Sequence, residues 1–308
     1  MKIRAFAPAT VANVACGFDI FGFAIGQLGD EVEVRFNDQN KVNILQITGD
    51  DGKLPLEASQ NTAGVAVLKM LEHLQIEAGI DLIIHKKMPL NSGLGSSAAS
   101  AVAAAVACNE LLGNKLAKRE LLPFAMEGER VACGAAIADN AAACLLGGLV
   151  LVQSYDPLCV VSLPVPAQLW AAVAHPHISL KTSHARAALP AQIPLKTAVA
   201  QWGQAAGFVA GVYQQNYALI AASLHDYVAE PHRAALIPHF YAVKNAAMAQ
   251  GALGCSISGA GPSVFALCEG EQTAILAANA MQNAFIQNET PCTAYYSKLN
   301  ENGAEILA

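Results

Sequence analysis

The sequence predicts an α+β protein in two domains, residues 1–157 and 158–308. Three observations carry this. The 308 residues are 54% apolar and only 14% charged, enough to build two cores. In both halves, stretches that alternate polar and apolar residues interleave with stretches whose apolar residues recur at helical spacing. No repeat, low-complexity tract or long linker separates the halves, so they are expected to pack around a shared cleft.

Taken in order, 31–36 and 42–48 alternate as half-buried strands do, and 81–85 is a third strand. Between them Val65, Leu68, Met70, Leu71 and Leu74 fall at helical spacing over 62–76, with Asn61 or Thr62 as N-cap. A glycine- and serine-rich turn at 89–97 opens an alanine-rich helix running to about Gly113. A buried strand is expected over 145–153, then strands at 159–163 and 169–174. Three helices follow, at 202–213, 217–228 and 239–250, with Pro238 suited to the first turn of the last. A strand at 263–267 and a helix at 271–285 complete the pattern.

Composition excludes several classes of function. The net charge is −6 and the 18 Lys and Arg residues are scattered, so no nucleic-acid or anionic-lipid footprint is expected and a small-molecule partner is favoured. No apolar run reaches the roughly 18 residues of a membrane span. Lys2 and Arg4 precede an apolar run ending at Cys16, but Pro8, Thr10 and Asn13 interrupt it, so no secretion signal is read and a cytoplasmic protein is expected. The eight cysteines form no CxxC pair and read as reduced core thiols, and the histidines show no HExxH spacing, so neither set is expected to bind metal.

The chemistry concentrates in the segment Pro89, Leu90, Asn91, Ser92, Gly93, Leu94, Gly95, Ser96, Ser97, Ala98, Ala99. Glycines at 93 and 95 let backbone N–H groups approach an anion closely, the serines can cap the following helix or reach a Mg ion, and the helix points its positive end at the same spot. The alternative reading of the segment alone is a capped turn before a core helix. Its GxGxxA string also fits a dinucleotide loop, but residues 86–92 separate it from the preceding strand and no acidic strand end follows about 20 residues on. There is no Walker A motif and no protein-kinase catalytic loop.

Two further small-residue elements flank this loop: Ala7-Pro8-Ala9 through Asn13 to Gly17-Phe18-Asp19, and 254–262 with Gly259 and Gly261. In this order and spacing the three resemble the signature motifs of the GHMP kinase superfamily, over nearly the whole chain. The first motif resembles that of the homoserine kinase family, as do Glu129 ten residues ahead of Asp139-Asn140, Thr182 with Ala185-Arg186, and Glu230-Pro231 with Arg233. Homoserine kinases often carry a His just before the Asp-Asn pair, where this chain has Ile137 and Ala138. The resemblance implies an N-terminal domain like the second domain of ribosomal protein S5, a ferredoxin-like C-terminal domain, ATP and Mg as cofactors, and a homodimer. Shikimate- or mevalonate-type kinases are the alternative, as is a metabolite sensor without turnover.

The resemblance further implies roles. Residues 89–99 would bind ATP, with Asn61 at the base or ribose and Lys87 near the nucleotide. Taken alone, Asn61 reads equally as an N-cap and Lys87 as a surface charge. Ser97 and Glu129 would hold Mg. Asn13 and Asp19 would face the homoserine amine, and Arg186 and Arg233 its carboxylate, with Thr182, Gly259 and Gly261 completing the acceptor pocket. Asp139 and Asn140 would sit beside the attacking hydroxyl, Asp139 either accepting its proton or orienting it.

Overall fold

A computed structural model describes residues 2–134 and 136–307. The elements are β1 (Lys2–Ala12), β2 (Phe21–Asn37), β3 (Val42–Thr48), α1 (Thr62–Leu74), β4 (Gly79–His85), α2 (Ser96–Leu111), α3 (Leu122–Cys133), α4 (Ala138–Leu146), β5 (Leu149–Tyr155) and β6 (Leu158–Leu163), followed by β7 (Leu169–Pro176), α5 (Thr182–Ala187), α6 (Leu195–Gln214), α7 (Tyr217–Ser223), α8 (Glu230–Arg233), α9 (Phe240–Ala249), β8 (Gly254–Ile257), β9 (Val264–Glu269), α10 (Glu271–Gln287), β10 (Cys292–Lys298) and β11 (Glu305–Leu307).

The first sheet runs β11-β1-β2-β4-β3, with β5 and β6 added to the opening residues of β2. At 17 residues β2 is long enough to serve two neighbours, pairing with β5 through Phe21–Phe23 and with β4 from Glu31 onward. Against this sheet lies α2, whose alanines keep 13 of its 16 residues buried, which is why the segment carries no charge before Glu110. Small side chains let α2 sit between the sheet and α1, α3 and α4 at close range. β6 and β11 both belong to this sheet, although they follow residue 157 in the chain.

The second sheet is antiparallel, in the order β10-β7-β9-β8. Numbered among themselves the strands stand 4-1-3-2, and α9 and α10 are the crossovers, which is the expected ferredoxin-like arrangement with α5 to α8 inserted after β7. Phe240, Met281 and Phe285 fill the core between these helices and the sheet.

The expected strand at 145–153 is corrected at its start: Leu145 and Leu146 end α4, and Gly147 and Gly148, both at positive φ, turn the chain into β5. The helix expected over 217–228 stops at Ser223, because Asp226 accepts from the N–H groups of Val228, Ala229 and Glu230 and caps the next turn instead. Of the cysteines, Cys159 is exposed, while Cys16, Cys108, Cys144, Cys255, Cys268 and Cys292 are buried; the Cys133 thiol lies outside the described residues. Among the described residues no helix is long and apolar enough to cross a membrane.

Candidate active site

The three small-residue segments meet at one cavity of about 540 Å³. Gly93 and Gly95 both adopt left-handed backbone, φ 77° and 70°. A Cβ on Gly95 would lie 2.0 Å from Thr10 Oγ1 and 2.9 Å from Asn140 Oδ1, and one on Gly93 would lie 2.5 Å from the Ser258 carbonyl oxygen. The loop therefore touches β1, α4 and the 258–261 turn with no space for side chains. Hydrogen bonds fix the same contacts: Thr10 Oγ1 donates to Asn140 Oδ1 (2.6 Å), and Ser258 Oγ donates to the Gly93 carbonyl (2.6 Å).

The helix start differs from the expectation that serines cap it. Gly95 is the N-cap of α2 and supplies no side chain, while Ser96 Oγ donates instead to Asp30 at 2.9 Å. Asp30, fully buried on β2, also accepts from the N–H groups of Lys87 (2.9 Å) and Met88 (3.1 Å), from Ser100 Oγ (3.4 Å), and from the Lys86 ammonium. Both ends of the 89–95 loop are thus tied to one carboxylate. Lys86 Nζ donates further to the Ser96 carbonyl (2.7 Å) and to Ser100 Oγ (2.8 Å), placing a buried positive charge in the cavity wall under the loop.

Glu129 on α3 and Asp139 on α4 are both buried and line the cavity. Burial pushes the Glu129 carboxyl up to about 7, against the opposing hydrogen bond from Ser97 and the charge of Lys86. Asp139 is likewise pushed up to about 7, first by burial and next by the Asp19 carboxylate, while the Asn140 N–H on its Oδ1 (2.7 Å) opposes the shift. Among the described residues no group of three or more His, Cys, Asp or Glu side chains converges as a metal cage. The donor set of Glu129 and Ser97 fits an ion that takes one carboxylate and a hydroxyl from the protein and its other oxygens from phosphate and water, as Mg²⁺ does beside nucleotides.

At the other end of the cavity, Arg186 Nη2 forms two 3.0 Å bonds to the Asp19 carboxylate. Arg233, 3% exposed, donates to the carbonyls of Ala185 and Gly259, both at 3.0 Å, and both guanidiniums lie over the Phe18 ring. Asn13 Nδ2 donates to the same Gly259 carbonyl at 2.9 Å, and its Oδ1 accepts from the Asp19 N–H.

Of the residues singled out from sequence, the cavity gathers Asn13, Asp19, Asn61, Leu90, Asn91, Ser92, Gly93, Gly95, Ser96, Ser97, Glu129, Asp139, Asn140, Thr182, Arg186, Arg233 and Gly259. Leu94, Ala98 and Ala99 are fully buried beneath it, and Pro89, Gly261 and Lys87 do not line it. The Lys87 ammonium pairs with Glu31 on β2, so the lysine that turns under the 89–97 loop and lines the cavity is its neighbour Lys86. Asn61 caps α1, accepting from the Ala63 N–H at 3.0 Å, and donates to the Pro55 carbonyl at 3.0 Å. Sequence reasoning missed Thr10, read as an interruption of the first apolar run, Asp30, directly ahead of the strand expected at 31–36, and Lys86, directly after the strand expected at 81–85.

The model of the GHMP kinases N terminal domain matches residues 61–148, and that of the GHMP kinases C terminal domain residues 207–287. The chain is 50% identical to homoserine kinase of Chlorobium phaeobacteroides, and the alignment covers 99% of each protein. It is 48% identical to that of Chlorobaculum tepidum, over 99% of this chain and 98% of the relative. The crystal structure of homoserine kinase from Cytophaga hutchinsonii superposes with a TM-score of 0.97 at 54% identity, over 99% of this chain and 97% of that one. Mevalonate kinase of L. major, at 16% identity and a TM-score of 0.69 over 96% and 95% of the two chains, shares the fold. With near-complete coverage at about half identity, and with the three motifs lining one cavity, this chain belongs to the homoserine kinase family of the GHMP kinases.

Proposed function

We propose that this chain transfers the γ-phosphoryl group of ATP to the hydroxyl of L-homoserine, giving O-phospho-L-homoserine and ADP, a step toward threonine. The observation that carries the reading is the polarity of the cavity, with anion donors at one end, a zwitterion's counter-charges at the other, and Asp139 between them. Backbone N–H groups of the 93–97 loop and the N-terminus of α2 hold the triphosphate, and Lys86 adds positive charge beneath. Ser97 and Glu129 would hold the Mg ion, which supplies charge neutralisation at the phosphates when bound.

Asp19 and Asn13 accept from the homoserine amine, while Arg186 and Arg233 donate to its carboxylate. The Asp19–Arg186 pair is what the substrate exchanges for its own two charges. Thr182 and the Gly259 backbone border the pocket. With the hydroxyl aimed at the γ-phosphorus, a new O–P bond forms as the bond to the β-phosphate oxygen breaks, and the hydroxyl proton passes to Asp139. A carboxyl poised near neutrality suits that acceptance better than an ordinary aspartate. Asn140 is held by Thr10 and orients the same region.

The reading includes a cytoplasmic homodimer, as the resemblance implies. The experiment is to incubate purified protein with Mg, ATP and, separately, homoserine, shikimate, mevalonate and galactose, following ADP release and the phosphorylated product by ³¹P NMR. Homoserine should give the highest kcat/KM; faster turnover of another acceptor overturns the assignment.

A further inference from the structure

The acceptor end of the cavity is built on a strained segment. Between β1 and β2 the backbone is left-handed at four residues that are not glycine: Asn13 (φ 71°), Val14 (φ 44°), Ala15 (φ 56°) and Asp19 (φ 58°). Val14 is β-branched, the side-chain type least suited to that region. Such a segment keeps its shape only where its surroundings hold it. Two side chains from distant elements donate to its carbonyls: Gln201 Nε2 on α6 to Cys16 at 2.6 Å, and Tyr155 Oη at the end of β5 to Asp19 at 2.8 Å.

Asp19 is held at each of its polar groups. Its N–H donates to Asn13 Oδ1 (3.1 Å), its carboxylate accepts twice from Arg186 (3.0 Å each), and its carbonyl accepts from Tyr155. In the proposed transfer to homoserine, on which this inference rests, the acceptor competes for two of these holds: Arg186 turns to its carboxylate and Asn13 Oδ1 to its amine. Tyr155 does not line the cavity, so no substrate group competes for its bond. The same hydroxyl accepts from the Ala138 N–H at 3.3 Å, at the first residue of α4 and next to Asp139.

We propose that Tyr155 is a positioning residue for the phosphoryl transfer: its hydroxyl fixes Asp19 against the start of α4 and so sets the span between the group that receives the acceptor's amine and the group that receives its hydroxyl proton. A hydroxyl suits this place because it donates to the carbonyl of one segment while it accepts from the N–H of the other. The alternative role, closing the end of β5, needs only the backbone of residue 155, which pairs with Leu158 on β6.

Tyr155→Phe removes one oxygen and leaves the ring and that pairing in place. In steady-state kinetics of the full chain, kcat/KM for homoserine should fall about tenfold, chiefly through KM, with KM for MgATP within about twofold of wild type. With 4-hydroxybutyrate, which is homoserine without its amine, the same substitution should cost less than about threefold, because this acceptor makes no use of Asp19. Asp19→Asn keeps a side chain that tolerates left-handed backbone, and adding Tyr155→Phe to it should likewise cost less than about threefold with homoserine. Equal losses on the two acceptors, a KM for MgATP that rises along with that for homoserine, or losses that multiply in the double variant overturn the proposal. Should homoserine prove not to be an acceptor, the substrate assignment fails by itself, and Tyr155 is decided by the same pair of variants on whichever of shikimate, mevalonate and galactose turns over fastest.

Discussion

Asp139 and Glu129 are acidic side chains on the cavity wall whose carboxyl groups titrate near neutrality, each raised to about 7 chiefly by burial. A raised acid holds more protons in the folded than in the unfolded chain between its ordinary value, 3.8 for Asp139, and about 7, so stability falls as the pH rises through that window. Asp139→Asn removes this penalty. The melting temperature of the ligand-free variant should exceed that of the wild type by a margin largest above about pH 7, on the order of 2–4 kcal/mol in stability, and shrinking toward acid pH. Its turnover should fall roughly a hundred- to ten-thousandfold if the carboxylate accepts the proton. Thermal scans across pH check the first statement, and a margin that grows as the pH falls would reverse it. Glu129→Gln should leave the fold intact and cut turnover at least about a hundredfold, since an amide is a poor Mg ligand; near-normal activity at saturating Mg would remove Glu129 from that role. Both carboxylates were legible in the sequence because they fall on motif positions. The two adjacent lysines were not distinguishable there: which of Lys86 and Lys87 turns inward is decided by Asp30, 56 residues from Lys86, and by nothing local.

The glycine- and serine-rich loop at 89–95 is an element defined by its two ends, and Asp30 holds both. Asp30→Asn would leave the Lys86 ammonium buried without its carboxylate, a loss of about 3–5 kcal/mol that should appear as a much lower melting temperature. A small change would mean that the Ser96 carbonyl and Ser100 hydroxyl suffice to hold Lys86. Gly95→Val tests the loop from its apex. The backbone there has φ +70° and a Cβ would collide with Thr10 Oγ1, so the loop must move, and ATP protection against thermal unfolding should largely vanish. An unchanged ATP-induced shift would place the nucleotide elsewhere. Elements with strict local signals were readable, among them α1 with its Asn61 cap and the 31–36 part of β2, where Glu31, Glu33 and Arg35 alternate with Val32, Val34 and Phe36. Those whose reason is distant were not. The strands β10 and β11 carry mixed, half-exposed side chains and are defined by pairing with β7 and β1 across the length of the chain. The strand β1 reads as a broken apolar run because its residues from Ala7 to Ala12 are buried on both faces, so no alternation of polar and apolar side chains marks it as a strand.

At the scale of the whole molecule, the end of the cavity proposed to take the acceptor draws on both halves of the chain: Asp19 comes from the loop between β1 and β2, Arg186 from α5 and Arg233 from α8. The two arginines are unequal in this arrangement. Arg233 is buried and donates to two backbone carbonyls, so Arg233→Leu would strip those carbonyls of a donor and lower stability along with activity. Arg186 retains 38% side-chain exposure, and its hydrogen bonds go to Asp19, so it reports on the substrate more cleanly. Arg186→Leu should cost about 1.5–3 kcal/mol in kcat/KM for homoserine, the range of a hydrogen bond to a charged group, with a melting temperature close to wild type because an exposed pair contributes little. Background ATP hydrolysis should stay nearly constant, since the loop and Glu129 are untouched. The comparison that isolates the carboxylate uses 3-aminopropan-1-ol, which keeps the amine and the hydroxyl. It should react poorly with the wild type and lose little more with Arg186→Leu, because the interaction that the substitution removes is one this acceptor never made. An equal loss on both acceptors would show that Arg186 serves to neutralise Asp19 rather than to bind the carboxylate.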